Sequence, residues 1–311
     1  MSLVQEALNG NTRAIAKIIT KIENDSPEAV AFMKELYPCS GKAYIIGITG
    51  SPGVGKSTLV DKIIEFLRKE GKKVGVIAVD PSSPFSGGAI LADRIRMQHH
   101  FLDEGVFIRS MATRGSMGGL SKATNNAVNV LDSCGFYYII VETIGVGQDE
   151  IDIVKISKTT LVAFAPGLGD DMQAMKAGIM EIGDIFVINK ADRDDADKTE
   201  RDINIMLELN QKKNDWKPQV LKTVATTGAG IKELMEAIHS HKDFVSRNSG
   251  VFEDKEIYKG EMEITEILRE RLIDKAFEKI SNEGGIRSYA KRVAAREMDA
   301  YSAVEKILSL M

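Results

Sequence analysis

The sequence predicts an α/β fold: a mostly parallel sheet with helices on both faces, extended by helices at both chain ends. Three observations carry this. Short apolar runs recur from Tyr44 to Ala225 and alternate with helical patterning. A glycine-rich loop joins the first run to the first helix after it. The residues flanking this block carry apolar positions at helical spacing.

The runs are Tyr44–Thr49, Val74–Val79, Phe107–Arg109, Tyr137–Val141, Thr160–Ala165, Ile185–Asn189 and Gln219–Ala225. Their near-continuous apolar character is that of strands buried on both faces, and the helices between them supply the crossovers a parallel sheet needs. Ligands in such sheets bind outside the carboxyl ends of the strands. Residues 3–36 read as two short helices, with apolar positions at Leu8, Ile15, Ile18, Ile19 and Ile22, then Val30, Phe32, Met33 and Leu36; Pro38, Ser40 and Gly41 break the pattern. Beyond Gly250 the composition shifts to charged helix. Residues 261–282 carry a one-sided stripe of Ile264, Ile267, Leu268, Leu272, Ile273, Ala276, Phe277 and Ile280, and Tyr301, Val304, Ile307 and Leu308 form a second. The expected organisation is an N-terminal helical arm (1–40), a phosphate-loop domain (41–250) and a C-terminal helical segment (251–311).

Composition narrows the function. The 311 residues are 43% hydrophobic, enough for a sizeable core, and carry a net charge of −4, which argues against binding nucleic acid by phosphate neutralisation. Cys39 and Cys134 form no Cys-x-x-Cys pair, so neither a disulfide scaffold nor a zinc-thiolate site is expected, and a reducing cytoplasm fits. The N-terminal residues lack the apolar centre of a signal peptide, and no 18-residue apolar stretch suggests a membrane span.

The sharpest feature is Gly50-Ser51-Pro52-Gly53-Val54-Gly55-Lys56-Ser57-Thr58, a G-x-x-x-x-G-K-[ST] loop between a predicted strand and a predicted helix. Its glycines let backbone N–H groups turn inward, where they and the helix N-terminus face phosphates. Lys56 reaches the β- and γ-phosphates, and the Ser57 hydroxyl can ligate Mg²⁺. Asn189-Lys190-Ala191-Asp192 follows a later strand as N-K-x-D. A carboxylate at Asp192 accepts paired hydrogen bonds from guanine N1–H and the 2-amino group, and repels adenine, which has no donor at N1. Asn189 can brace neighbouring loops, and the Lys190 stem can cover the base. After the last strand, Val224-Ala225-Thr226 offers a backbone N–H near Ala225 for guanine O6. GTP or GDP with Mg²⁺ is therefore the expected ligand.

Three acids join Ser57 as candidate magnesium ligands. Asp80 and Glu142 close strands, and Asp93 lies in the Gly88–Arg94 segment; direct and water-mediated contact both remain open. Gly145 can present its N–H to the γ-phosphate and release it after hydrolysis. Gln148 is positioned to orient a water, so Lys56, Glu142 and Gln148 are the catalytic candidates. Arg94 and Arg114 could each steady transferred charge, and nothing chooses between them. His99 and His100 are adjacent, so on a helix they point in different directions and make a poor metal pair; His239 and His241 are read as structural too.

Taken together, GSPGVGKST (50–58), VDPSSPFSGGAILADRIRM (79–97), ETIGVGQDE (142–150), GDDMQAMKAG (169–178) and NKAD (189–192) resemble the MeaB/ArgK family of P-loop GTPases, chaperones of adenosylcobalamin-dependent methylmalonyl-CoA mutase. The resemblance implies that Asp80, Asp93 and Glu142 form the Mg²⁺ and first-switch environment. It implies that 169–178 is a further mobile loop, with Gln173 and Lys176 projecting from it, that reports nucleotide state to the mutase. It also implies that the terminal helices mediate homodimerisation. The implied role is a GTP hydrolase, slow until its partner accelerates it, that gates cofactor loading onto an acyl-CoA mutase and protects that enzyme. One departure is visible: Val224-Ala225-Thr226 stands where the family tends to have Ser-Ala-hydrophobic, but base contact there is through backbone. An older family label, lysine/arginine/ornithine transport ATPase, sits poorly with a guanine-reading N-K-A-D. Two competing functions are a metallochaperone GTPase for nickel or cobalt, whose usual cysteine pair or histidine-rich stretch is missing here, and a small-molecule kinase, which needs an adenine-tolerant base site.

Overall fold

Each of the seven apolar runs forms a strand: β1 (Tyr44–Thr49), β2 (Val74–Asp80), β3 (Val106–Ala112), β4 (Tyr138–Thr143), β5 (Thr159–Phe164), β6 (Ile185–Ile188) and β7 (Gln219–Lys222). The computed structural model describes residues 1–80, 97, 99–100, 102–112, 122–143, 149–167, 177–209, 216–281 and 284–310. The strands make one parallel sheet in the order β3-β2-β4-β1-β5-β6-β7. From β1 the chain moves out one way through β2 and β3 and the other way through β5 to β7. That reversal opens a crevice at the carboxyl end of β1, where a phosphate loop belongs.

Alternation along the strands splits the core into two faces. Val74 and Val76 pack with Ile46, Ile48, Ile140 and Leu161 against α4 (Lys56–Lys69) and α9 (Ile231–Arg247). Ile77 and Val79 pack with Ile139 and Val141 on the opposite face, against α5 (Lys122–Ser133) and the N-terminal helices. At the β6 end, Val162, Phe164, Phe186 and Ile188 pack with Ile179 of α7 (Ala177–Ile182) and Ile203 of α8 (Ala196–Leu209). A further helix, α6 (Asp149–Ile156), leads into β5.

The N-terminal region holds three helices, not two: α1 (Leu3–Leu8), α2 (Thr12–Glu23) and α3 (Ala29–Leu36). The break between the first two is chemical. Gly10 adopts φ +87°, and the Asn11 side chain caps α2 by accepting from the backbone N–H of Arg13 and Ala14. Ile15, Ile18, Ile19 and Ile22 then line one face of α2 and are buried in the same core as the sheet. Each such burial is worth about 1.5–3 kcal/mol relative to exposure.

Residues 248–311 form a separate compact unit. Within it α10 (Ser249–Ser281), α11 (Gly285–Ala294) and α12 (Ala300–Leu308) close around Ile280, Tyr289 and Ala303, with Val293, Met298 and Ile307 at the margin. The apolar residues of α10 do not keep to one side, contrary to the one-sided stripe expected. Ile264, Leu268 and Leu272 form one exposed line, whereas exposed Phe277 follows Leu268 by nine residues, half a turn round at 3.6 residues per turn. No helix among the described residues is long and apolar enough to cross a membrane.

The histidines bring a second correction. His99 and His100 do not diverge. Their rings lie 4.1 Å apart, and each Nε2 sits 3.1 Å from the same carboxylate oxygen, Oδ1 of Asp61 on α4. The shared contact with a carboxylate on another element overrides the divergence that helical spacing alone implies. His241 is buried as expected of a structural histidine, with Nδ1 2.8 Å from Thr159 Oγ1 and its ring against Trp216.

Candidate functional site

The loop from Gly50 to Gly55 leaves β1 and enters α4 at Lys56, whose N-cap is Gly55. Two of its glycines are required by space and conformation alike. A Cβ on Gly50, at φ +132°, would lie 2.1 Å from the Ala163 carbonyl oxygen of β5; one on Gly55, at φ +95°, would lie 2.5 Å from Asn189 Nδ2. The loop is therefore pressed against two neighbouring strand ends, and no side chain fits between. Val54 anchors it below, buried with Ala163 and Ala165, while Pro52 and Gly53 stand exposed and Ser51 and Thr58 are half-buried.

Lys56 is buried, and its Nζ donates to the carbonyls of Gly50 at 2.6 Å and Ser51 at 3.0 Å, which holds the ammonium across the loop. Ser57 Oγ donates to Glu142 Oε1 at 2.8 Å, and both side chains are buried. Glu142 lies within β4, one residue short of its end, beside Ile48 of β1 and Ala78 of β2. Asp80 is the last residue of β2. Beneath them the Thr143 hydroxyl donates to Thr49 Oγ1 at 3.0 Å, a buried pair tying the ends of β4 and β1.

A hard cation suits this donor set. A hydroxyl and a carboxylate are the oxygen ligands Mg²⁺ prefers, and their 2.8 Å separation is close to the edge, about 2.9 Å, of an octahedron with 2.0–2.1 Å legs. Ser57 and Glu142 are the residues that would hold it.

Asn189 is the hub of the base side. It is 2% exposed and forms bonds in two directions. Its Nδ2 donates to the carbonyls of Val54 at 2.9 Å and Gly55 at 3.4 Å; its Oδ1 accepts from the Ala225 N–H at 3.1 Å and the Thr223 hydroxyl at 3.2 Å. One amide side chain thus staples the phosphate loop to the loop after β7. Lys190, at φ +58°, donates from Nζ to the Gly53 carbonyl at 2.6 Å. The turn is fixed by Ala191 N–H to Thr223 O at 3.0 Å and Arg193 N–H to Lys190 O at 3.0 Å, leaving Asp192 exposed at the rim. Val224 bridges back to Ala229, and Thr226 is exposed.

The structure thus brings Gly50–Thr58, Glu142, Asn189, Lys190, Asp192 and Val224–Thr226 to one sheet rim. Asp93, Gly145, Gln148, Arg94, Arg114 and the 169–176 stretch lie outside the described residues. One expectation changes in detail. The Ala225 N–H already serves Asn189, so reading guanine O6 through it requires that bond to be shared. Two contributors were missed. Thr223 and the Thr49–Thr143 pair are small hydroxyls whose partners become visible only once strand register is known.

The family of the methylmalonyl Co-A mutase-associated GTPase MeaB matches residues 15–281 of this chain. A protein of Pyrococcus abyssi with a provisional GTPase name is 51% identical over 309 residues, covering 98% of this chain and 95% of that protein. GTPase ArgK of Escherichia coli is 35% identical over 250 residues, covering 77% and 75%. Among solved structures, a LAO/AO transport system kinase superposes with a TM-score of 0.69 at 24% identity, covering 99% of this chain and 95% of that one, and shares the fold. Family profile, relatives and fold agree: the chain belongs to the MeaB family of GTPases.

Proposed function

We propose that this protein binds GTP with Mg²⁺ along the carboxyl rim of its sheet, hydrolyses it slowly, and uses that cycle to gate an adenosylcobalamin-dependent acyl-CoA mutase. The carrying observation is Asn189, buried and bonded to both the phosphate loop and the loop after β7. A ligand spanning these loops needs phosphates at one end and a base at the other, and exposed Asp192 supplies the guanine-selective carboxylate.

Each residue then has a task. The loop N–H groups face the α- and β-phosphates, and Lys56 reaches the β- and γ-phosphates. Mg²⁺, when bound, neutralises charge on the phosphates; Ser57 and Glu142 hold it, with Asp80 and Asp93 acting directly or through water. Gly145 senses the third phosphate, and Gln148 orients water. The mutase as partner rests on the mutase association in the family description. Homodimerisation through 251–311 is supported by the exposed apolar residues of α10 and α12, which need a cover. The 1–40 arm, the 41–250 GTPase domain and a cytoplasmic setting complete the reading.

Asp192→Asn tests it. An asparagine cannot accept both guanine donors, so GTP affinity should fall by at least ~100-fold while xanthosine triphosphate gains, since each lost charged hydrogen bond is worth about 1.5–3 kcal/mol. Hydrolysis is measured with both nucleotides, with and without the mutase. Stimulation by the mutase should follow the change of base. Unaltered GTP preference removes the guanine reader, and a rate indifferent to the mutase removes the partner.

A further inference from the structure

A second cluster of metal-ligating groups joins α4, through Asp61, to the stretch before β3, through His99 and His100. We propose that Asp61, His99 and His100 form a binding site for a borderline divalent transition metal such as Zn²⁺ or Co²⁺.

The geometry points there. Both imidazole Nε2 atoms lie 3.1 Å from Asp61 Oδ1, and all three donor atoms lie within 4.8 Å of one another. A tetrahedral site with 2.0–2.1 Å legs has donor-to-donor edges of about 3.3 Å, close to both 3.1 Å separations from Asp61. Glu65, one turn further along α4, brings Oε1 to 3.8 Å from His99 Nε2 and is the candidate fourth donor, exchanging its 2.6 Å contact with Lys62 for the metal. Two imidazoles and a carboxylate suit zinc or cobalt, whereas Mg²⁺ prefers oxygen throughout.

Electrostatics are compatible. Lys62 is the opposing charge, 3.6 Å from the other Asp61 oxygen, but it is engaged by Glu65 at 2.6 Å. With neutral imidazoles, two carboxylates and one ammonium leave a net charge of −1. Asp61 and His100 are buried while His99 is half exposed, which gives the site a closed floor and an open entrance.

The placement has a consequence. Met97, His99 and His100 lead into β3, and Asp103 of the same stretch already pairs with Arg68 of α4. A metal at Asp61 would add a second fastening between this stretch and the helix that begins at the phosphate loop.

The test titrates Zn²⁺, then Co²⁺, into the metal-stripped full chain without nucleotide and in excess Mg²⁺, which occupies the Ser57–Glu142 site. One equivalent of Zn²⁺ should bind, and Co²⁺ should show the intense visible bands of a tetrahedral N/O site without thiolate charge transfer. His99→Ala, at a half-exposed position, should keep the fold and weaken Zn²⁺ at least ~10-fold. His100→Ala, checked for folding by circular dichroism, should do the same. The proposal is overturned if the wild-type chain takes up no stoichiometric metal, if Co²⁺ reports cysteine ligation, or if His99→Ala binds as tightly as wild type.

Discussion

The rim of the sheet and the C-terminal unit invert the ordinary rule of polar outside and apolar inside, in opposite senses. At the rim, Asn189, Ser57, Glu142 and Thr143 are buried, and each is hydrogen-bonded. In residues 248–311, Tyr301 is 85% exposed and Ile264 68% exposed, with Leu268, Leu272 and Phe277 close behind. A buried polar group survives only with partners, because an unsatisfied one costs about 1–3 kcal/mol. An exposed apolar group costs the fold little and leaves surface that another molecule can cover. On the proposed reading, the first inversion builds a rigid receptor and the second an interface. They should respond to mutation in opposite ways: the rim through folding free energy, the helical unit through association.

Asn189→Ala should have the largest effect on stability. It removes a side chain that satisfies the Val54 carbonyl, the Ala225 N–H and the Thr223 hydroxyl, and leaves them buried. A loss of about 2–4 kcal/mol is expected in urea unfolding, together with loss of nucleotide binding as the two loops separate. If stability fell by less than about 0.5 kcal/mol, the staple would be incidental and the contrast between the regions would fail.

That staple also shows what the sequence could reveal. The phosphate loop and N-K-x-D were legible because each is a local pattern whose chemistry depends on neighbours in the chain. The strands were legible because strands covered on both faces read as apolar runs. Thr223 was not, since its partner Asn189 follows the neighbouring strand β6 and appears only with the pairing of Ile188 and Lys222. The convergence of His99 and His100 on Asp61 was hidden for the same reason, with 37 residues between Asp61 and His99. The third N-terminal helix was lost where Gly10 and Asn11 interrupt a pattern that resumes one residue later. The α10 stripe was misread because its apolar positions drift around the helix, Leu268 and Phe277 standing half a turn apart.

The helical unit should give the opposite result. Replacing Ile264, Leu268 and Leu272 together by Asp puts charge on an exposed line of α10. Folding stability should change by less than about 0.5 kcal/mol per site, as for surface positions generally. Light scattering should move from dimer to monomer. A triple variant that stays dimeric places the interface elsewhere; one that unfolds shows that this line is covered within its own chain.

Arg68 and Asp103 provide the middle case and the smallest effect. The guanidinium grips the carboxylate through two bonds, Nε to Oδ2 at 2.8 Å and a terminal nitrogen to Oδ1 at 2.7 Å, while a quarter to a third of each side chain stays in contact with solvent. The Arg68 hydrogen bond holds the Asp103 carboxyl below the usual carboxylate range. Because the folded-state pKa is depressed, the stabilisation is present above the unfolded value and is lost as pH falls through the folded one. Asp103→Asn should therefore cost about 0.5–1 kcal/mol at pH 7, the screened worth of a partly exposed pair. That difference should begin to shrink once pH falls below about 4. Urea unfolding of both chains at pH 7, 5 and 3.5 resolves this. If the gap instead widened toward acid, the carboxylate would be stabilised in the unfolded chain rather than the folded one. Partial exposure would then fail to place this pair between the staple at the rim and the open face of α10.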